Sequence, residues 1–179
     1  MDALTWYLSM TACVLAEDIR DAICLWQGCH HIMRSTQRAI ATQEALDDSN
    51  PEIVAAIAVI DSNWQKIPEG LLLWHASPKS DWKYDADLWL PTSISIEGAW
   101  TAVRKGENVT FHRLKIGTHV WGFAAAADEE FCNENEVVLR HDAILLETGA
   151  NAVEFAGQKF QVHDYELTGC LKPRSLRPK

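Results

Sequence analysis

A chain of 179 residues with 47% apolar and 23% charged residues is long enough to bury a core without disulfides and too apolar to be a disordered segment. Its formal charge of −9 argues against a nucleic-acid binder, because phosphate contacts need clustered Lys and Arg, and the one basic cluster, "CLKPRSLRPK", reads as a solvated tail. The five cysteines, an odd number, make no disulfide framework.

The N-terminal stretch "MDALTWYLSMTACVLAEDIRDAICLW" has no basic leader region and carries Asp2, Glu17 and Asp18, so it reads neither as an export signal nor as a membrane span. Reduced cysteines and the lack of an export signal point to the cytosol. Up to about residue 62 the periodicity is helical, with Leu4, Leu8, Leu15, Ile19 and Ile23 recurring at threes and fours. Cys24, Cys29, His30 and His31 raise a metal question inside that stretch. No second pair completes four ligands, so buried helix thiols are the preferred reading and no metal is expected. "DDSNP" then breaks the pattern, with Asn50 as N-cap and Pro51 at the first position of a helix over "EIVAAIAVI".

From residue 71 the chain reads mainly as strands: "LLLWH", "NVTFHRLKI", "HVWGFAA", "EVVLR" and "AILLE". "AVEFAGQKFQVHDYEL" reads as a hairpin in which Phe155 and Phe160 flank a turn at Gly157. One helix interrupts them, "IEGAWTAVRK", capped by Ser95 and ended by Gly106. The eight tryptophans supply core bulk, and one or two of them are candidates to stack on a planar ligand. The class is α+β, helices first and a curved or split β core after, in a single domain over 1–179: a mainly helical part to residue 66, a β core over 70–165 and a flexible tail over 170–179.

Three segments of the β half carry the chemistry: "LLLWHAS" at 71–77, "LPTSIS" at 90–95 and "ENEVVL" at 134–139. Each alone has an ordinary reading, as strand packing, a helix cap and a solvated loop respectively. In this order and together they resemble the ADP-ribosyltransferases, which break the nicotinamide–ribose bond of NAD and hand ADP-ribose to an acceptor. "ENEVVL" is similar to the family's Glu-x-Glu entry to a strand. "PTSISIEGA" resembles its hydroxyl turn leading into a helix with a small residue at Ala99. "LLLWHAS" resembles its first strand, with His75 standing where the serine-motif branch carries Arg. The resemblance covers roughly residues 70–165, and the N-terminal helices resemble the variable helical regions that precede such cores in toxin and phage members.

The resemblance implies an N-terminal helical part followed by a split antiparallel β core, with NAD as co-substrate. It implies that Glu136 stabilises the cationic ribose and that Glu134 positions or deprotonates the nucleophile, with arginine of a protein as acceptor. His75 would hydrogen-bond the adenosine ribose or a phosphate, the backbone of Ala76 would grip the carboxamide, and Trp74 would line the same site. One of Thr92, Ser93 or Ser95 would orient Glu136, two registers of the hydroxyl run being possible. Phe131 would present an apolar face to the acceptor, or simply pack. In the reaction that the resemblance implies, an oxocarbenium-like ribosyl transition state is stabilised by a nearby carboxylate, and since side chains two apart in a strand share a face, the two acids would converge on one cleft. No Gly-rich phosphate loop is present, so a Rossmann mode of NAD binding is not supported. The leading expectation is a phage or bacterial effector that modifies a host protein. The competing readings are a partner-binding module that has lost turnover, and an enzyme that modifies nucleic acid or merely hydrolyses NAD.

Overall fold

The computed structural model describes residues 2–11, 16–42, 51–78, 82–103, 109–125 and 135–169. Helix α1 (Ala3–Thr11) starts at Asp2, whose carboxylate accepts from the Thr5 amide at 2.8 Å and the Thr5 hydroxyl at 2.9 Å, satisfying a donor left open by the first turn. In α2 (Glu17–Thr42), Glu17 and Asp18 oppose the helix dipole at its positive end. Its Ala22, Ile23, Trp26 and Met33 are buried at helical spacing, and the helix is kinked at Cys29 (φ −130°, ψ 26°). Pro51 opens α3 (Pro51–Ser62), which buries Ile53, Ala56, Ile57 and Ile60 in one core with α2.

The strands are β1 (Gln65–Lys66), β2 (Leu72–Pro78), β3 (Leu90–Ser93), β4 (Val109–Ile116), β5 (Trp121–Ala125), β6 (Glu136–Leu139), β7 (Ile144–Phe155) and β8 (Gln158–Thr168), with α4 (Ile96–Ala102) between β3 and β4. They form an eight-stranded sheet in the order β1-β5-β6-β3-β2-β4-β8-β7, antiparallel throughout except for the β4–β8 pair. The fold class is α+β, as the sequence indicates. Two runs expected as separate strands, "AILLE" and "AVEF", are one 12-residue strand, β7, which passes through Gly149 by an irregularity between Glu147 and Gly149 instead of breaking there. The turn beyond it has positive φ at both Ala156 and Gly157, which suits the twist of a two-residue hairpin joining Phe155 to Gln158.

Three apolar clusters divide the sheet. Helices α2 and α3 cover β5 and β6 through Trp26, Met33, Ile57, Phe123 and Val138, while α4 covers β2, β4 and β8 through Ala76, Ala99, Phe111 and Val162. On the opposite side α1 brings Trp6 and Tyr7 onto Leu73, Leu114, Val137 and Leu167. Gly122 allows β5 to lie close on its neighbours, since a Cβ there would stand 2.6 Å from the Val138 carbonyl oxygen and from Ile67 Cδ1. Strands β2 and β3 are paired at one position, Trp74 opposite Ser93, and then part. That parting, with α2 on one side and α4 on the other, makes room for the cleft described next.

Candidate active site

The cleft has a volume of about 280 Å³, at the lower end of the range for small-molecule pockets. Trp74, Ala76, Ser93 and Glu136 come from the strands beneath, Trp26 and His30 from α2, and Gly98, Ala99, Thr101 and Ala102 from α4. Ser95 sets the α4 wall: its hydroxyl accepts from the Gly98 amide at 3.0 Å, the N-cap of that helix.

Glu136 is the first residue of β6 and stands opposite Ser93 of β3 and Ala125 of β5. Its Oε1 accepts a hydrogen bond from Trp26 Nε1 at 3.0 Å, 110 positions away in sequence. The three hydroxyls expected near this acid have different employments. Ser93 is buried in the cleft in register with Glu136, and its hydroxyl accepts from the Ser95 amide at 3.2 Å. Thr92 donates to the Val137 carbonyl at 2.6 Å, which pins β6 one residue beyond the acid. Ser95 caps α4 and is not among the residues lining the cleft.

His75 lies where β2 and β3 part, and its Nδ1 donates to the Pro91 carbonyl at 2.8 Å, bridging strands whose backbones no longer pair. Burial lowers its pKa to about 4, against the opposing effect of that hydrogen bond, and the charge of Arg34 lowers it further. His75 begins a row of rings across the sheet, opposite His112 of β4, which is in turn opposite His163 of β8, with the Trp82 ring tilted against the first two at centroid distances of 4.9 and 4.1 Å. Burial likewise lowers His112 to about 3, and Ser77 Oγ lies 2.8 Å from its Nε2. Arg34, on α2, donates to the Trp89 carbonyl at 2.8 Å, and its positive charge is felt at His30 as well as at His75.

The structure thus brings Trp74, His75, Ala76, Thr92, Ser93 and Glu136 to one cleft and leaves Ser95 outside its lining, as the cap of the helix that walls it. Glu134 and Phe131 lie outside the described residues, as do Asn50 and Gly106. Sequence reasoning missed the contribution of α2. Trp26 and His30, spaced i, i+4, share a helix face and have ring centroids 6.3 Å apart, a spacing that marks them as a pair once a second wall is sought. Cys24 and Cys29 are half-buried on the same helix, and among the described residues no three His, Cys, Asp or Glu side chains converge as a metal site would require. Among the described residues no helix is long and apolar enough to cross a membrane.

No family model and no curated relative matches the chain by sequence. Solved structures share its fold. Plx2a, an ADP-ribosyltransferase toxin from Paenibacillus larvae, superposes with a TM-score of 0.62 at 12% identity, over 91% of this chain and 90% of the toxin. An ADP-ribosyltransferase from Clostridium botulinum gives 0.60 at 12% identity, over 92% of this chain and 93% of that one. BECa, an ADP-ribosylating toxin of C. perfringens solved with NADH, gives 0.58 at 13% identity over 93% of this chain, which spans 48% of BECa. The fold is therefore that of the ADP-ribosylating toxins.

Proposed function

We propose that this chain is an NAD-dependent mono-ADP-ribosyltransferase that transfers ADP-ribose to a protein side chain, arginine by preference, with Glu136 and Glu134 as its catalytic acids. The observation that carries this reading is the place of Glu136: a carboxylate lining a cleft with Trp26 and Trp74, beside the point where two strands part, in a fold shared with ADP-ribosylating toxins, one of them solved with NADH. The cleft suits the dinucleotide chemically. Trp74 offers a face for a planar ring, Ser93 and Glu136 offer partners for ribose hydroxyls, and Arg34, one turn of α2 beyond the lining residue His30, is the cation assigned to the pyrophosphate.

In the reaction the C–N bond between ribose and nicotinamide breaks and its electron pair leaves with the nicotinamide nitrogen. The positive charge left on the sugar is stabilised by the Glu136 carboxylate, an interaction worth on the order of 3 kcal/mol of barrier for a well-aimed group. Ser93, in register with that acid, orients it. Glu134 takes the proton that the acceptor loses as its nitrogen bonds to the anomeric carbon. The neutral His75 accepts a hydrogen bond from the adenosine ribose, Ala76 presents its backbone to the carboxamide, and Phe131 meets the acceptor. We place the acceptor in the cytosol of the producing or infected cell, as a host protein of a bacterial or phage effector.

Labelled NAD incubated with the chain and cell lysate tests this. Nicotinamide release and label entering protein are expected, both lost on Glu136→Gln. Glu134→Ala should abolish transfer to arginine and leave NAD hydrolysis. No release with any lysate would leave a partner-binding module with this fold as the reading.

A further inference from the structure

We infer that Trp26 is a positioning residue for Glu136, so that helix α2, outside the three segments carrying the proposed chemistry, is part of the catalytic apparatus. This rests on the functional reading above. The indole Nε1–H can only donate, and it meets Glu136 Oε1 at 3.0 Å, inside the range of a well-formed N–H···O bond and strengthened by the charge on the carboxylate.

The donor cannot swing. Trp26 is fully buried, and its ring sits in a run of aromatic contacts, 5.4 Å from Trp89, which is 5.1 Å from Trp64, itself 5.3 Å from Phe123. In that run Trp89 buries its Nε1 with no hydrogen-bond partner among the described residues, so packing holds it, whereas the Trp26 indole is aimed at the acid. The neighbouring residue doubles the link. Gln27 Nε2 donates at 3.1 Å to the carbonyl of Ala125, the residue of β5 opposite Glu136. Two consecutive residues of α2 therefore address one position of the sheet, one through the acid's side chain and one through the strand beside it. A flexible carboxylate at the first residue of a strand has rotamers to lose. A rigid donor from a second element selects one of them before substrate arrives, which is how preorganisation lowers a barrier without changing affinity.

The test compares Trp26→Phe, which keeps an aromatic ring but trims the run and removes the N–H, with Trp89→Phe, which trims the same run and takes no donor from Glu136. With NAD as substrate and nicotinamide release as the readout, Trp26→Phe should lower kcat about tenfold or more, the size of effect seen when an orienting partner is removed, with KM unchanged within twofold. Trp89→Phe should keep kcat within twofold even where it lowers the melting temperature. Benzothienylalanine at position 26, isosteric but with sulfur for N–H, should reproduce the loss, and the ¹⁵N-indole resonance of Trp26 should move upfield on Glu136→Gln. Trp26→Phe with undiminished kcat, or a kcat loss matched by Trp89→Phe, overturns the positioning role and leaves the functional reading standing. A wild-type chain that releases no nicotinamide overturns that reading and the role in catalysis with it, while the indole shift still reports whether the hydrogen bond forms.

Discussion

His75 Nδ1 stands 2.8 Å from the carbonyl oxygen of Pro91, across the gap where β2 and β3 part. A carbonyl only accepts, so the neutral ring carries its proton on Nδ1 and keeps its lone pair on Nε2. One side chain thus does two things: it joins the strands where their backbone ladder has ended, and it holds a single tautomer at the edge of the cleft.

That arrangement has a pH signature. The folded pKa values of His75 and His112 lie near 4 and 3, both below the ordinary 6.5 because burial disfavours the cation. Between those values and 6.5 the unfolded chain binds protons that the folded chain does not. The stability is therefore fully present above pH 6.5 and falls as pH drops toward 4, by up to about 1.4 kcal/mol per pH unit for each ring. Urea unfolding at pH 7, 6 and 5 should show a loss of about 2 kcal/mol or more between the first and last, and His112→Gln should flatten the slope. A stability independent of pH over this range would mean that the rings are not held neutral.

Arg140 and Asp61 form an ion pair at 3.4 Å with side chains only 13% and 4% exposed, tying the end of α3 to the residue after β6. Trp64 Nε1 donates to the same carboxylate at 3.1 Å. Removing one charge leaves the other buried, so Arg140→Met should cost about 3–5 kcal/mol in denaturant unfolding, and adding Asp61→Leu should recover part of it.

Ser95→Ala removes the N-cap of α4 and should cost about 1 kcal/mol, while Ser95→Asp should not. Because α4 is a wall of the cleft, steady-state kinetics of Ser95→Ala should show a raised KM for NAD with kcat little changed. A kcat loss equal to that of Glu136→Gln would instead mean that Ser95 acts on the acid.

Arg34 stands on α2 one turn beyond His30, a residue that lines the cleft. Arg34→Met should raise the KM for NAD about tenfold, equivalent to roughly 1.4 kcal/mol of phosphate binding, with kcat within twofold. The salt dependence of KM should shrink with it, and a KM indifferent to both substitution and salt would remove Arg34 from the proposed pyrophosphate site.

The order of helices and strands was legible in the sequence because its signals are local. The threes and fours of Ile53, Ala56, Ile57 and Ile60 bury one helix face, Ser95 sits three residues before the amide it caps, and the turn at Gly157 needs a positive φ that glycine supplies freely. Local signals also read "AILLE" and "AVEF" as separate strands, where one strand in fact runs through Gly149, because the ladder with β8 on either side outweighs one glycine. The acids and hydroxyls of the candidate site were visible for the same reason, as short patterns. Only the tertiary structure decided that β2 and β3 part after a single pair, that Ser93 rather than Thr92 or Ser95 stands opposite Glu136, and that Trp26 reaches that acid from 110 positions away. No neighbouring residue encodes such a meeting: it follows from how helix and sheet faces pack, and packing sums over residues that the chain itself keeps far apart.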